Sequence, residues 1–145
     1  MIHHRPIPFR FPLALVLSIV CLVLPAWADF ETAMDAYNRK DYATALREWQ
    51  ALAEQGEADA QDFLGTLHFR GWGVPQDYTK ARQWWEKAAA QGSASAQSDL
   101  GQLYASGLGG SQDLVQAYMW HSLAEGNGYE ISTGYRNDLA KQMTP

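Results

Sequence analysis

Two adjacent segments of the chain, residues 58–93 and 94–129, show the same residue pattern with an offset of 36 positions. Identical residues recur along the whole length of both segments, including the glycine pair Gly65 and Gly101. The same offset applied backwards finds a partial copy in residues 29–57. A period of this size is typical of stacked solenoids, in which one unit cannot bury its apolar face without its neighbours.

Each unit is predicted to consist of a helix A, a glycine-containing loop and a helix B. In the second unit, the small and apolar residues of 58–69 fall on one half of a helical wheel, which predicts helix A. Asp77 is a suitable N-cap for a helix B that runs to Ala90, and Gly92 follows as a stop signal. The predicted fold class is therefore all-α, a short α-α solenoid.

The second unit has the pattern AxAQxxLGxxxxxGxGVPQDYxKAxxWxxKAAxQG, and its copy repeats many of these residues. This pattern resembles the Sel-1-like repeat, a member of the TPR-like class of helical repeats, over about residues 37–128. The resemblance implies a right-handed superhelix. It also implies that the chain is an exported bacterial adaptor that binds other proteins.

The first residues, 1–28, are predicted to be a secretory signal peptide. Arg5 and Arg10 make the start basic, residues 11–24 are almost wholly apolar, and small residues precede a cleavage site after Ala28. The alternative is an uncleaved membrane anchor, which the short and proline-interrupted apolar run disfavours. Cleavage would leave no stable membrane anchor and would place the mature protein in a Gram-negative periplasm or outside the cell.

The mature chain is predicted to form one solenoid over residues 29–129, followed by a C-terminal capping helix within 130–145. The solenoid comprises the partial first unit, 29–57, and the two full units, 58–93 and 94–129.

The tail helix is expected to cover Met119 and Leu123, which replace polar residues of the preceding unit. Thr144-Pro145 resembles an N-cap followed by proline at the first helical position, the signal for a further helix. This pattern predicts an incompletely capped C-terminal end, which could support self-association.

Charge and composition argue against several classes of function. All sixteen acidic residues and nine of the eleven basic ones lie after residue 28, and the basic ones are not clustered, so nucleic acid is not an expected partner. The single cysteine, Cys21, lies in the predicted signal peptide, so no thiol chemistry is expected in the mature chain. His68 and His121 are far apart and occupy aromatic positions of the repeat, so no metal or other cofactor is predicted.

No combination of residues predicts a catalytic site, so the chain is not expected to be an enzyme. Ser-x-x-Lys, the motif of serine β-lactamases, does not occur in the sequence. The alternatives kept open are a hydrolase acting on cell-wall or β-lactam compounds and a non-catalytic structural or inhibitor protein.

The predicted partner is another protein or peptide, held on a concave face built mainly by helices A. The polar and aromatic candidates for contact are Asp59, Asp62, Phe63, Thr66, Arg70, Trp72, Ser98 and Gln102. Phe63, Phe69 and Trp72 allow two interpretations, a widened core or an exposed apolar patch for the partner.

Overall fold

The computed structural model describes residues 25–144, and the side chains of residues 30–144. Residues 1–24, which include most of the predicted signal peptide, lie outside the described part. Within residues 25–144 there are seven helices and no strand: α1 Pro25–Asn38, α2 Tyr42–Glu54, α3 Ala58–Arg70, α4 Tyr78–Ala90, α5 Ala94–Ser106, α6 Leu114–Gly126 and α7 Ile131–Met143. None of these helices has the length and apolar character needed to cross a membrane.

The helices stack as a solenoid, and each one packs against the next along the chain. Helices α1, α3, α5 and α7 take the A position, and α2, α4 and α6 take the B position. The tail helix α7 therefore begins a fourth unit. Its buried Ser132 and Leu139 follow the buried Ala96 and Leu103 of α5 by one period. The predicted all-α solenoid is confirmed.

Each B helix begins at an aspartate that caps it. The carboxylates of Asp41, Asp77 and Asp113 accept hydrogen bonds from the backbone N–H groups three residues later, at 3.2, 2.9 and 2.9 Å. These N–H groups have no partner inside the helix, and each such cap contributes about 1 kcal/mol. The regular caps fix where every B helix starts and so keep the units in register.

Glycines in two A helices allow the B helices to approach closely. A Cβ added at Gly65 would lie 2.8 Å from Cε2 of Trp85 and closer still to Nε1 of that indole. At the equivalent position one unit later, a Cβ on Gly101 would lie 2.6 Å from Nε2 of His121. His121 thus occupies the aromatic position that the repeat predicts for it, against bare backbone.

Gly65→Ala is expected to lower the free energy of unfolding by about 1–3 kcal/mol, because the new methyl group overpacks against Trp85. This loss outweighs the gain of about 1 kcal/mol in helix propensity. Urea denaturation should measure it. Gly134→Ala is the matched control, since Gly134 is also helical but has open space around its Cβ. A Gly65→Ala protein as stable as Gly134→Ala would contradict this account of the contact.

Buried glutamines join three helices at each junction between units. The Gln61 amide donates to the carbonyl of Ala53 at the end of α2 and accepts from Gln91, which follows α4. One unit later, Gln97 donates to Ala89 and accepts from Asn127 in the same way. Both glutamines are almost fully buried, so these hydrogen bonds satisfy groups that would otherwise be costly to bury.

The tryptophans of the B helices divide into two kinds. Trp49 and Trp85 are buried in the core, as the repeat predicts. Trp84 and Trp120, which lie one period apart, are only half-buried. Each packs against a core cluster and remains partly exposed.

The prediction that the tail helix covers Met119 and Leu123 is wrong. These side chains remain 46% and 45% exposed, and Val115 on the same face of α6 is 69% exposed. The reason is that α7 packs on the other side of α6, where Ser132 contacts the ring of His121.

Candidate protein-binding site

The A helices form the inner layer of the solenoid. The hydroxyl of Ser95 on α5 donates to the Asp62 carboxylate on α3, and the hydroxyl of Ser132 on α7 donates to Ser98 on α5 at 3.0 Å. No side-chain hydrogen bond among the described residues joins two B helices. Direct A-to-A contact places the A helices on the concave side, where a partner segment would be held.

Two carboxyl groups lie together on this inner surface. Burial raises the pKa of Asp99 to about 7, the nearby Asp62 adds to the increase, and Arg70 opposes it. Burial also raises the pKa of Asp62, against the hydrogen bond from Ser95. One carboxylate oxygen of Asp62, Oδ1, is buried without a hydrogen-bond partner in the described part of the chain. Neither carboxyl group forms an ion pair with another described residue, and Arg70 only partly offsets the effect of burial on Asp99.

Among the predicted contact residues, Asp59, Arg70 and Gln102 are exposed. Thr66 is half-buried, and its hydroxyl donates to the backbone carbonyl of Asp62 at 3.3 Å. Asp59, Asp62, Thr66 and Arg70 lie on α3 and Gln102 lies on the neighbouring A helix α5.

Phe63 and Trp72 are part of an aromatic cluster and do not form an exposed patch. The Phe63 ring stacks on Trp49 with the centroids 4.3 Å apart, and Trp72 stacks on Tyr42 at 4.8 Å. Arg70 lies over Trp72, with its guanidinium carbon 5.7 Å from the ring centroid. Of the two interpretations that the sequence allowed, the widened core describes these rings.

Ser98 is a wrong prediction, because it is buried and a partner cannot reach it. Helix α7 covers it and supplies the hydroxyl of Ser132 as its hydrogen-bond partner. This burial could not be predicted from the sequence, because the tail was expected to pack over Met119 and Leu123 instead.

A second concavity, which the sequence did not reveal, opens on the opposite side of the solenoid. This cleft has a volume of about 710 Å³ and lies between α2 and α4, with His68 of α3 among its lining residues. The repeat shows no periodic signal for it, because its side chains differ between units. Within residues 30–144, no group of three or more His, Cys, Asp or Glu side chains is arranged to hold a metal ion.

Comparison with known proteins agrees with this architecture. The Sel1 repeat family model matches residues 58–93 and 94–129. The chain is similar in structure to c5321, a protective antigen present in uropathogenic Escherichia coli strains displaying an SLR fold, with 31% identity and a TM-score of 0.79 over 88% of this chain. It is also similar to a Sel1 repeat protein from Oxalobacter formigenes, with 32% identity and a TM-score of 0.72 over 76% of this chain.

The two solved structures are longer than this chain, which covers 28% of the first and 45% of the second. No curated protein matches the sequence. The likeness therefore concerns the repeat units and their stacking.

Proposed function

Because this chain belongs to the Sel1-like repeat family, we propose that it is a non-catalytic adaptor that binds another protein on the inner surface of its A helices. Sel1 repeat proteins typically act through protein–protein interaction, and a preformed concave helical face suits a peptide or helix. The signal-peptide pattern of residues 1–28 supports export, and we propose the periplasm or the cell exterior as its location.

The strongest support for binding at this surface is that the carboxyl groups of Asp62 and Asp99 both have raised pKa values. A carboxyl group with a raised pKa is held in an unfavourable environment for its charge, and a lysine or arginine side chain nearby would relieve that penalty. The exposed Asp59 lies one helical turn from Asp62 and adds negative charge to the same face. The partner segment that fits this surface therefore carries a basic side chain.

Photo-crosslinking in cells tests this proposal. A photoreactive residue at Gln102, on the inner surface, is expected to capture one defined protein. The same residue at Thr79, which is exposed on the B-helix α4, is the matched control and is expected not to capture it. Capture of the same set of proteins from both positions, or of none from Gln102, would contradict the proposal.

Two further measurements test the proposal: the affinity of the captured protein for the purified chain, and the intact mass of the chain recovered from cells. The captured protein should bind the purified wild-type chain. Its affinity for the double variant Asp62→Asn/Asp99→Asn should be at least tenfold lower. The intact mass of the chain recovered from the periplasm or medium should correspond to a start at Asp29. A mass that includes Met1 would contradict the proposed export and cleavage but would leave the binding surface open to the crosslinking test.

A further inference from the structure

The cleft on the outer side of the solenoid is lined by groups that favour an anion. Lys80 and Lys87 on α4 line it, and neither forms an ion pair with another described residue. The one carboxylate of the lining, that of Glu86, is held by Arg82 at 2.8 Å. In a chain with a net charge of −5, this outer cleft is therefore locally positive.

His68 contributes an unused polar group to the outer cleft. The side chain is 8% exposed, and its Nδ1 has no hydrogen-bond partner among the described residues. In the next unit, the position of His68 is taken by Tyr104, whose hydroxyl accepts a hydrogen bond from Arg82. The residue that corresponds to Arg82 one unit earlier is Leu46, so His68 has no polar partner there. Burial and then Lys80 lower the pKa of His68, so the ring is neutral at pH 7 and retains one N–H donor.

An aromatic ring and two amides complete the outer cleft. Lys87 lies over Trp84, with Nζ 4.1 Å from the ring centroid, a distance at which the ring attracts the ammonium group. Gln83 and Gln50 also line the cleft, and the Gln50 amide donates to the carboxylate of Glu54 at 2.7 Å. The volume of about 710 Å³ is within the range of sites that hold a short peptide or small molecule.

The spacing of the lysines decides what kind of anion fits. The Cα atoms of Lys80 and Lys87 are two turns apart on one helix, a rise of about 10 Å, and this separation matches two anionic groups on one ligand better than a single phosphate. A polyproline II segment places side chains three residues apart on one face, about 9 Å from each other. Such a segment with two glutamates would offer one carboxylate to each lysine.

We propose that the outer cleft binds an acidic, extended segment of a protein partner, with Lys80 and Lys87 each holding one carboxylate. The part of the Trp84 ring that Lys87 does not cover lies beside the segment between its two acidic residues, and the imidazole of His68, which lines the cleft, donates its N–H to the segment. This site is separate from the inner surface, so the chain can hold two partners at once. The equivalent groove one unit later has Met119 and Leu123 in place of Gln83 and Lys87, so it lacks this chemistry.

Fluorescence anisotropy with a labelled peptide tests the site. The probe is Pro-Glu-Pro-Pro-Glu-Pro, and the peptide with glutamine in place of both glutamates is its control. Wild type is expected to bind the probe saturably at low salt and to bind the glutamine peptide at least tenfold more weakly. No saturable binding of the probe, or equal binding of the two peptides, would overturn the proposal.

A pair of charge-reversal variants separates this site from general electrostatics. Lys80→Glu/Lys87→Glu is expected to weaken probe binding at least tenfold. Lys40→Glu/Lys141→Glu changes the net charge equally at exposed lysines outside the cleft and should bind as wild type does. Equal weakening in both variants would overturn the proposal. Asp99→Asn, on the inner surface, should leave the affinity for the probe peptide unchanged. The result at the outer cleft can therefore be told apart from the result of the crosslinking test at the inner surface.

His68→Phe tests the role of the imidazole. This variant removes the N–H and fills the same space, so probe affinity should fall about tenfold while the urea midpoint does not fall, because a buried unpaired polar group is removed. Unchanged affinity would overturn the assignment of His68 to the site.

Discussion

Trp49→Ala is expected to lower the free energy of unfolding by about 3–5 kcal/mol, because it leaves a large cavity in the core. The indole is fully buried and contacts Phe63, Tyr37 and Phe30, with centroid distances of 4.3, 5.4 and 6.4 Å. Single domains have a total stability of about 5–15 kcal/mol, so this loss is a large part of the whole. Guanidinium denaturation followed by circular dichroism should measure it.

Trp49→Phe is the control for this prediction. The Nε1 of Trp49 is buried without a hydrogen-bond partner in the described part of the chain, so phenylalanine loses no hydrogen bond and still stacks on Phe63. Its cost should be less than half that of alanine. Equal stability of the two variants would show that the stacked cluster does not stabilise the first units as proposed.

Asp99→Asn is expected to stabilise the protein at pH 8 and to leave its stability nearly unchanged at pH 4. The pKa of Asp99 is about 7 in the folded chain and about 3.9 in an unfolded one, so the folded state binds a proton more tightly. Stability therefore falls as the pH rises from about 4 to about 7. Asparagine does not ionise, and it should remove a penalty of about 1–4 kcal/mol at pH 8.

Urea denaturation at pH 4.5 and pH 8 should measure this effect. Asp35→Asn, at an exposed position of α1, is the matched control and should show no comparable gain. The pKa of Asp62 is also raised, chiefly by burial, and the charge of Asp59 adds to the increase. Asp99→Asn that is no more stable than wild type at pH 8 would contradict the unfavourable environment assigned to this carboxyl. A gain would mean that the proposed binding surface is kept at a cost in stability.

Features that repeat with the period of the chain could be predicted from the sequence. The caps at Asp41, Asp77 and Asp113 and the close approach at Gly65 and Gly101 depend on local geometry, which is the same in each unit. Each of these residue types has a strong conformational or steric reason to occur where it does, so the pattern alone predicts its role.

Features that depend on contacts between units were predicted less well. Ser98 is buried because α7 continues the stack of A helices, and Met119 and Leu123 are exposed for the same reason. The fourth A helix preserves few of the repeat residues, so its position could not be read from identities. In the outer cleft, His68 lacks a polar partner because the corresponding position, 22 residues earlier, is Leu46. A local sequence pattern does not reveal a relation between residues so far apart.

The buried glutamines at the junctions have a consequence for how the array comes apart. If the preceding unit opens, the buried amide of Gln61 or Gln97 loses the backbone carbonyl that it binds across the junction, Ala53 or Ala89, and keeps only the partner in its own unit. In a nearest-neighbour description, this makes the coupling between units strong relative to the stability of each unit alone. The second and third units should therefore unfold in a single transition, and their slowest amide protons should exchange with solvent at one common rate and not unit by unit.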